Sequence, residues 1–340
     1  MPGVATAVGR LSSAVRPRSF WFAAAAAFAL VAGNAAALER EPLDPDVRQI
    51  ESFRTAPRDG DRLAFRGGLV LSGEPGLNGL SGIGMDGNSV LLVSDFGHWV
   101  GGRLVLEHGR LTDFVDVWRA PMQLPDRTIA DGKLNGDAEA IAVRGEDIIV
   151  TFERPGRALI FPKAEGVLAP RDDTSKLLSN LRLEFGPQHN KPEAAFTDAA
   201  GSIVIIDEDP TFRDGARGVR LPSERFAVAL EDPWRVTGAD LGPGGDLFIV
   251  ERRYEGGTDV GMRVRRIGTD TMARSVWDGP ILIEGDFSDQ IDNMEAIGVT
   301  GDGDKIELTL VSDNNANFLQ RTIILRFVVS DPLPRPNPRR

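Results

Sequence analysis

Carboxylate side chains recur at matching places in five segments of this sequence. Each segment opens with a small residue or a glutamate, passes through a Gly/Asp turn, and ends on an apolar run closed by an acid. The opening glutamates are Glu139, Glu193 and Glu295, and the acids at the strand ends are Asp95, Glu153, Asp207, Glu208, Glu251 and Asp313. Opening and closing positions lie 14 residues apart in the first three segments, 13 in the fourth and 18 in the fifth. A repeated fold unit would gather these carboxylates around one axis.

Converging carboxylates favour a bound cation. Like charges raise one another's pKa, and a hard cation such as Ca²⁺ relieves the repulsion by taking about six to eight oxygen ligands. The last segment adds oxygen donors beside Glu295. We therefore predict Ca²⁺ ligands among Asp95, Glu139, Glu153, Glu193, Asp207, Glu251, Asp292, Asn293, Glu295, Asp313 and Asn314. The alternative is structural, because acids at strand ends also accept backbone hydrogen bonds or pair with arginine.

A divalent cation at this place is suited to ester hydrolysis, with an anionic small-molecule phosphate ester as the expected substrate. The metal would bind the anionic oxygens and activate a water. The candidate catalytic acids and bases are Glu139, Glu295 and His98, and an ordinary loop residue is the alternative for His98. The candidate substrate-binding cations are Arg154, Lys191, Arg252, Arg253 and Arg321. Two other functions stay open: a calcium-dependent lactonase or carboxylesterase, and a non-enzymatic binding or scaffold protein.

The elements that must position these residues are short strands. Each segment is a pair of β-branched or apolar runs, and the openings recur every 45–58 residues. Strand repeats of this length are typical of a β-propeller, in which four-stranded antiparallel blades surround a channel. About 270 residues predict six blades, with Leu63–Leu71 pairing with Ile323–Val329 to close the ring from both chain ends. The alternative is a pair of β-sandwiches or two separate all-β domains.

Several of these segments resemble one protein family. The run from Asp292 to Ile297, with LTLVSDNNANFLQRTIILRF (308–327), resembles the C-terminal signature of the phytase-like proteins known for "esterase-like activity of phytase". GLSGI (79–83), LLVSDFG (91–97), DAEAIAV (137–143) and FER (152–154) resemble earlier units of that family. The resemblance covers about residues 60–328 and implies an exported β-propeller with esterase-type activity. The sequence lacks the Asp-Asp-Pro-Ala and Asn-Asn-Val-Asp motifs of the calcium-dependent propeller phytases.

Composition excludes several other classes of function. The 340 residues are 41% hydrophobic and contain no Cys, which rules out disulfides, thiolate catalysis and iron–sulfur clusters. The three histidines form no HxxxH or HExxH spacing. A formal net charge of −11 disfavours nucleic acid as a partner, because a basic surface is needed to displace its counterions. We expect a monomer whose partners are a divalent cation and a small ester.

The chain ends predict export. Arg10, Arg16 and Arg18 precede the apolar run 20–33, and small residues follow to Ala37, which is the layout of a signal peptide. Cleavage near Ala37 would release a periplasmic or secreted protein without a membrane span, and an uncleaved anchor is the alternative. We therefore divide the chain into a signal peptide (1–37), a linker (38–62), the propeller (63–330) and a Pro-rich tail (331–340).

Overall fold

The architecture comes from a computed structural model. The structure describes residues 39–56, 58–154, 156–163, 170, 191–210, 215–302 and 305–330. The predicted signal peptide and the Pro-rich tail lie outside these residues. In chain order the strands are β1 (Glu41–Pro42), β2 (Asp46–Ile50), β3 (Leu63–Ser72), β4 (Leu80–Asp86), β5 (Ser89–Ser94), β6 (His98–Glu107), β7 (Arg110–Pro121), β8 (Ala138–Arg144), β9 (Asp147–Phe152), β10 (Arg157–Pro162), β11 (Ala194–Thr197), β12 (Ile203–Ile206), β13 (Gly215–Arg220), β14 (Glu224–Ala229), β15 (Arg235–Leu241), β16 (Leu247–Gly256), β17 (Asp259–Ile267), β18 (Val276–Trp277), β19 (Ile281–Asp286), β20 (Asn293–Asp302), β21 (Lys305–Asp313) and β22 (Thr322–Val329). The described helices are a 3₁₀ turn, Pro75–Leu77, and a short α-helix, α1 (Gly132–Asn135).

The strands form an all-β propeller of five blades. Their sheet orders are β1-β7-β6-β5-β4, β10-β9-β8, β11-β12-β13-β14-β18, β15-β16-β17-β19 and β2-β3-β22-β21-β20. The five sequence segments are the two inner strands of the five blades, so the repeat identified from sequence is confirmed. The prediction of six blades is wrong. The prediction divided the length of the repeat region by a typical blade length of about 40–50 residues. The segments recur every 45–58 residues, so the blades are longer and five of them account for the same length.

The blades are also less uniform than four antiparallel strands each. Within the described residues they contain three to five strands, and β18 joins β14 in a parallel pair. Extra strands at the outer edge cover backbone groups that would otherwise be open to pairing with another chain.

The innermost strands β4, β8, β11, β15 and β20 lie very close together. Each contacts the next one in that order, and β20 contacts β4. A Cβ on Gly82 would lie 2.8 Å from the Cα of Ala140, and one on Gly238 would lie 3.1 Å from the Cα of Ala296. The small residue that follows each opening position is therefore required by the close approach of neighbouring backbones.

The N-terminal segment contributes strands rather than a linker. β1 pairs with the outer strand β7 of the first blade, and β2 pairs with β3 in the last blade. β3 in turn pairs with β22, from Thr322↔Leu71 to Val329↔Leu63, so both chain ends share one sheet. Polar residues fit these outer strands because one side of an edge strand faces water. Ring closure by the chain ends stays a prediction that rests on this pairing.

Apolar side chains of adjacent blades pack against one another to form the core. In one example Trp99 of β6 and Phe161 of β10 are fully buried and meet edge to face, with ring centroids 4.9 Å apart. In the described part of the chain, no helix has the length and apolar character needed to cross a membrane.

Candidate functional site

The five opening positions line a narrow central channel. They are Ser81, Glu139, Glu193, Thr237 and Glu295, one from each blade. The cavity between them has a volume of about 10 Å³, which is close to the room needed for one water molecule. Three glutamates therefore point at one small space on the axis, as the repeat predicted.

Main-chain hydrogen bonds show which residues close the inner hairpins at equivalent places. In three blades a backbone N–H donates to the carbonyl oxygen of the residue two positions before the opening residue. These bonds run from Asp95 to Gly79 (2.9 Å), from Glu153 to Asp137 (2.9 Å) and from Glu208 to Lys191 (3.0 Å). In the other two blades Arg252 pairs with Arg235, and Asp313 pairs with Asn293. The equivalent closing residues are therefore Asp95, Glu153, Glu208, Arg252 and Asp313. We call the level that they occupy the channel mouth.

Two predicted ligands, Asp207 and Glu251, lie one residue too early to reach the mouth. Neighbouring residues of a strand face opposite sides of the sheet, so a shift of one residue turns the side chain away. Glu251 is completely buried and accepts hydrogen bonds from Arg263 and Arg265 of β17. Both oxygens of Glu251 accept hydrogen bonds from these arginines, so Glu251 forms a buried ion pair.

Asp207 is buried beside the mouth rather than in it. Its Oδ1 accepts hydrogen bonds from the backbone N–H groups of Lys191 and Glu208, at 3.1 and 3.0 Å. Burial raises the pKa of Asp207 to about 7, although these hydrogen bonds oppose the shift. This acid shapes the backbone that presents Glu208.

One side of the mouth is held together by Arg252. Its Nη1 donates to Glu295 Oε1 at 2.6 Å and also to Asn293 Oδ1, and its Nη2 donates to Glu208 Oε1 at 2.9 Å. Lys191 Nζ reaches the other oxygen of Glu208 at 2.6 Å. Nearby carboxylates raise the pKa of the Arg252 guanidinium against the effect of its burial. On this side Arg252 and Lys191 are both hydrogen-bonded to carboxylates.

The second blade holds three carboxylates together. Asp137, Glu139 and Glu153 each offer an oxygen, and these atoms all lie within 4.8 Å of one another. We call these three residues the acidic trio. Arg154 borders them, with Nη2 at 2.9 Å from Glu153 Oε2 and Nε at 3.3 Å from Asp137 Oδ2. Asp137 is 1% exposed, and its Oδ2 receives no hydrogen bond from the described residues.

A third group lies between the first and last blades. Asp95 is buried and bound by the ammonium of Lys133, which is carried on α1. Burial raises the pKa of Asp313 to about 6, and the negative charge of Asp95 adds to this shift. The charges of Asp137 and Asp313 also raise the pKa of Lys133, so this group adjoins the acidic trio.

Burial raises the pKa of several carboxyl groups around the mouth. It raises the pKa of Asp137 to about 7, with a further contribution from Glu153. It also raises the pKa of Glu295 to about 7, although the charge of Arg252 opposes this. The pKa values of Glu139 and Glu193 lie well above the ordinary range, because burial and neighbouring carboxylates both disfavour ionisation.

The remaining predicted site residues have local partners. His98 is bonded through Nε2 to the carbonyl oxygen of Gly76 at 2.9 Å, and burial lowers its pKa. Arg253 binds Asp259 and lies over the ring of Trp234. Two further pairs complete the set: Arg321 with Asp292, and Asn314 with Asn78. Each of these contacts stabilises a strand or loop around the mouth.

The acidic trio fits a hard divalent cation. Its ligand atoms are all carboxylate oxygens, which Ca²⁺ prefers. Within the described part of the chain, the buried Asp137 Oδ2 lacks a hydrogen-bond donor, and an unsatisfied buried carboxylate oxygen is costly unless it is neutralised. Asp137 and Glu208 were absent from the predicted ligand set. The sequence could have pointed to Glu208, because the inner hairpin of its blade is one residue longer than those of the first two blades.

A family comparison now agrees with the fold and the mouth. The profile of the phytase-like family, described as "Esterase-like activity of phytase", matches residues 75–316. The chain belongs to this family. The match begins just before β4 and ends just after β21, so it contains every opening and closing residue of the mouth. The resemblance inferred from the sequence segments is thereby confirmed.

Comparison with curated protein sequences finds no match. Among solved structures, the chain is similar to the catalytic domain of a Coprinopsis cinerea GH62 α-L-arabinofuranosidase, with 10% identity and a TM-score of 0.42 over 86% of this chain and 97% of that one. It is also similar to a GH43_1 enzyme from Xanthomonas citri complexed with xylose, with 10% identity and a TM-score of 0.41 over 73% and 87%. A nidogen/laminin complex gives 14% identity and a TM-score of 0.36 over 73% and 87%. No functional role follows from likeness at this level.

Proposed function

We propose that this phytase-like propeller is a calcium-dependent hydrolase that cleaves phosphate esters at the channel mouth. The observation that carries the proposal is the acidic trio, with three carboxylates in mutual reach and a buried Asp137 oxygen that lacks a hydrogen bond. Such a set is unstable as three bare charges, and a divalent cation is the neutralising group that also serves hydrolysis.

Asp137, Glu139 and Glu153 would hold the Ca²⁺ ion, and the charges of Lys133, Glu193 and Glu295 act on Asp137 or Glu139. When bound, Ca²⁺ supplies a positive charge for the anionic ester oxygens and for a water nucleophile. Holding the substrate falls to Arg154, which is the most exposed cation of the mouth. Its planar guanidinium suits two oxygens of a phosphate.

Glu295 is the proposed general acid or base. Its pKa of about 7 gives both protonation states near neutral pH, which favours proton transfer in either direction. Arg252 and Asn293 hold its carboxyl in place. His98 is a poorer candidate, since its Nε2 is engaged by a carbonyl oxygen and burial keeps its ring neutral.

A second candidate function is hydrolysis of a neutral, apolar ester or a lactone. Phe287 is 63% exposed and Phe318 is 94% exposed, on the loops that precede Asn293 and follow Asp313. A hydrogen bond of 3.1 Å between Arg321 and Gln290 joins these two loops. Exposed aromatic side chains beside a mouth whose cations are ion-paired favour a substrate with an apolar part.

Hydrolysis assays would test both candidates. The chain is incubated with p-nitrophenyl phosphate, p-nitrophenyl butyrate or a γ-lactone, each with Ca²⁺ or with EGTA. We expect Ca²⁺-dependent turnover of the phosphate ester, lost in Glu139→Gln and kept in Asp116→Asn, which changes an exposed acid on β7 in the same way. Turnover of only the neutral esters would favour the second candidate. If Ca²⁺ binds and no ester is cleaved, the protein is a binding propeller and the hydrolase proposal fails.

We also propose export with cleavage near Ala37, on the strength of the charged, apolar and small-residue order of residues 1–37. Mass spectrometry of the protein from the periplasm and the medium would test this. The expected N-terminus is Leu38, and an intact Met1 in the membrane fraction would contradict it.

A further inference from the structure

Arg154 occupies the place that a cation would need. It binds two of the three members of the acidic trio, Glu153 at 2.9 Å and Asp137 at 3.3 Å. The Nε contact to Asp137 lacks hydrogen-bond geometry, since Asp137 Oδ2 has no hydrogen-bond donor. The guanidinium therefore offsets the negative charge of the trio but donates no hydrogen bond to Asp137 Oδ2.

The side chain of Arg154 is also free to leave. It is 59% exposed, and its described hydrogen bond goes to the neighbouring Glu153 alone. Water reaches most of the Arg154 side chain, although its partners Asp137 and Glu153 are 2% and 18% exposed, and this screening weakens the ion pair. By contrast, the Arg252 side chain is 26% exposed and bonded to Glu208, Glu295 and Asn293. Only the first of these two arginines can exchange its partners at low cost.

We propose that a divalent ion displaces the Arg154 guanidinium from the acidic trio. The released guanidinium then binds the anionic group of the substrate. This inference rests on the proposed function, because it requires that the trio binds Ca²⁺. In the metal-free state the guanidinium is taken up by Glu153 and Asp137. Once these carboxylates bind the metal, the guanidinium N–H groups of Arg154 lie beside the bound ion without a carboxylate partner.

Two consequences follow from this exchange. Metal and anion must bind with positive coupling, because the metal frees the group that binds the anion. Coupling of this kind is reciprocal, so the anion tightens metal binding by the same factor, typically about 5–150-fold. Removing Arg154 must then have opposite effects: the metal binds more tightly because its competitor is gone, and the anion binds more weakly.

Calorimetry of the full chain tests this. Ca²⁺ is titrated into the metal-free wild type and into Arg154→Ala, and phenylphosphonate, a non-hydrolysable anion, is titrated with and without Ca²⁺. Arg103→Ala is the matched control, since Arg103 is 52% exposed and ion-paired with Asp116 on the outer strands. We expect Arg154→Ala to bind Ca²⁺ about three- to tenfold more tightly and phenylphosphonate about tenfold more weakly in the presence of Ca²⁺. Arg103→Ala is expected to match the wild type, and Arg154→Lys to fall between wild type and Arg154→Ala.

Three results would overturn the inference in distinguishable ways. Equal or weaker Ca²⁺ binding by Arg154→Ala shows that Arg154 supports the trio rather than competing for it, and leaves the calcium site intact. Phenylphosphonate affinity that does not depend on Ca²⁺ shows that Arg154 is not released by the metal. Absence of Ca²⁺ binding by the wild type removes the inference and the calcium-dependent function together.

Discussion

The two sides of the channel mouth neutralise their carboxylates in different ways. On the side of Glu208 and Glu295, Arg252 makes three side-chain hydrogen bonds and is largely covered. On the side of the acidic trio, the cation is the exposed Arg154, and one buried oxygen of Asp137 has no donor. The trio is distinguished by three carboxylates in mutual reach and by a cation that is mostly exposed. It is therefore the side at which we propose that an ion binds.

The largest expected effect separates the two arginines by stability. Arg252→Ala leaves Glu208 and Glu295 without their shared partner, and breaking a buried pair in this way costs about 3 kcal/mol. Arg154→Ala removes a side chain that is itself 59% exposed, so water can partly replace it beside Glu153 and Asp137, and we expect a smaller cost of about 1 kcal/mol. Urea unfolding of the metal-free proteins measures both. Equal losses for the two variants would contradict the distinction between the two sides.

The next effect concerns the metal. Ca²⁺ at about 100 times its Kd should stabilise the wild type by about 2.7 kcal/mol, because it binds the folded state alone. Glu139→Gln removes one ligand of the acidic trio and should abolish this gain. Thermal melting after EGTA treatment, with millimolar Ca²⁺ and with Mg²⁺ as the comparison ion, measures it. A full Ca²⁺ response in Glu139→Gln, with a lost response in Glu208→Gln, would place the ion on the other side.

A third expectation concerns pH. The pKa values of Asp137 and Glu295 are about 7 in the folded chain, against ordinary values of 3.8 and 4.5. Between pH 4 and 7 the folded state therefore binds more protons than the unfolded state, so the stability of the metal-free protein falls as pH rises through this window. Ca²⁺ replaces the proton of Asp137, so its stabilising effect should grow over the same range. Melting temperatures at pH 5, 6, 7 and 8 test this, and metal-free stability that rises from pH 5 to 7 would contradict it.

The smallest expected effect is at His98, the first residue of β6. Because its Nε2 is held by the Gly76 carbonyl oxygen, we expect His98→Gln to change kcat/KM by far less than the about 10²–10⁴-fold contributed by a general acid or base. A loss of that size, with unchanged Ca²⁺ binding and unchanged melting temperature, would return His98 to the catalytic group.

The sequence was most informative where the repeat is regular. The opening residues Glu139, Glu193 and Glu295 lie together in the channel as predicted, because each begins the inner strand of its blade. The closing residues were less predictable. The hairpins of the third and fourth blades are one residue longer, and a shift of one residue exchanges the two faces of a strand. Glu208 and Arg252 therefore lie where Asp207 and Glu251 were expected.

Asp137 shows a different limit of prediction. It lies two residues before an opening position, and the equivalent residues of the other blades are Gly79, Lys191, Arg235 and Asn293. Since this position varies in charge from blade to blade, the repeat carries no signal for it. The pairing of Asp137 with Glu153 follows from the three-dimensional register of the second blade alone.

The most direct test of the central claim is to locate the ion. Crystals of the chain grown with Ca²⁺ would be measured at a long wavelength, at which calcium scatters anomalously. The account predicts one anomalous peak within about 2.3–2.6 Å of oxygens of Asp137, Glu139 and Glu153, with the Arg154 guanidinium turned away from them. A peak at another group of acids, or no peak at saturating Ca²⁺ with Arg154 still bound to Glu153, would contradict it.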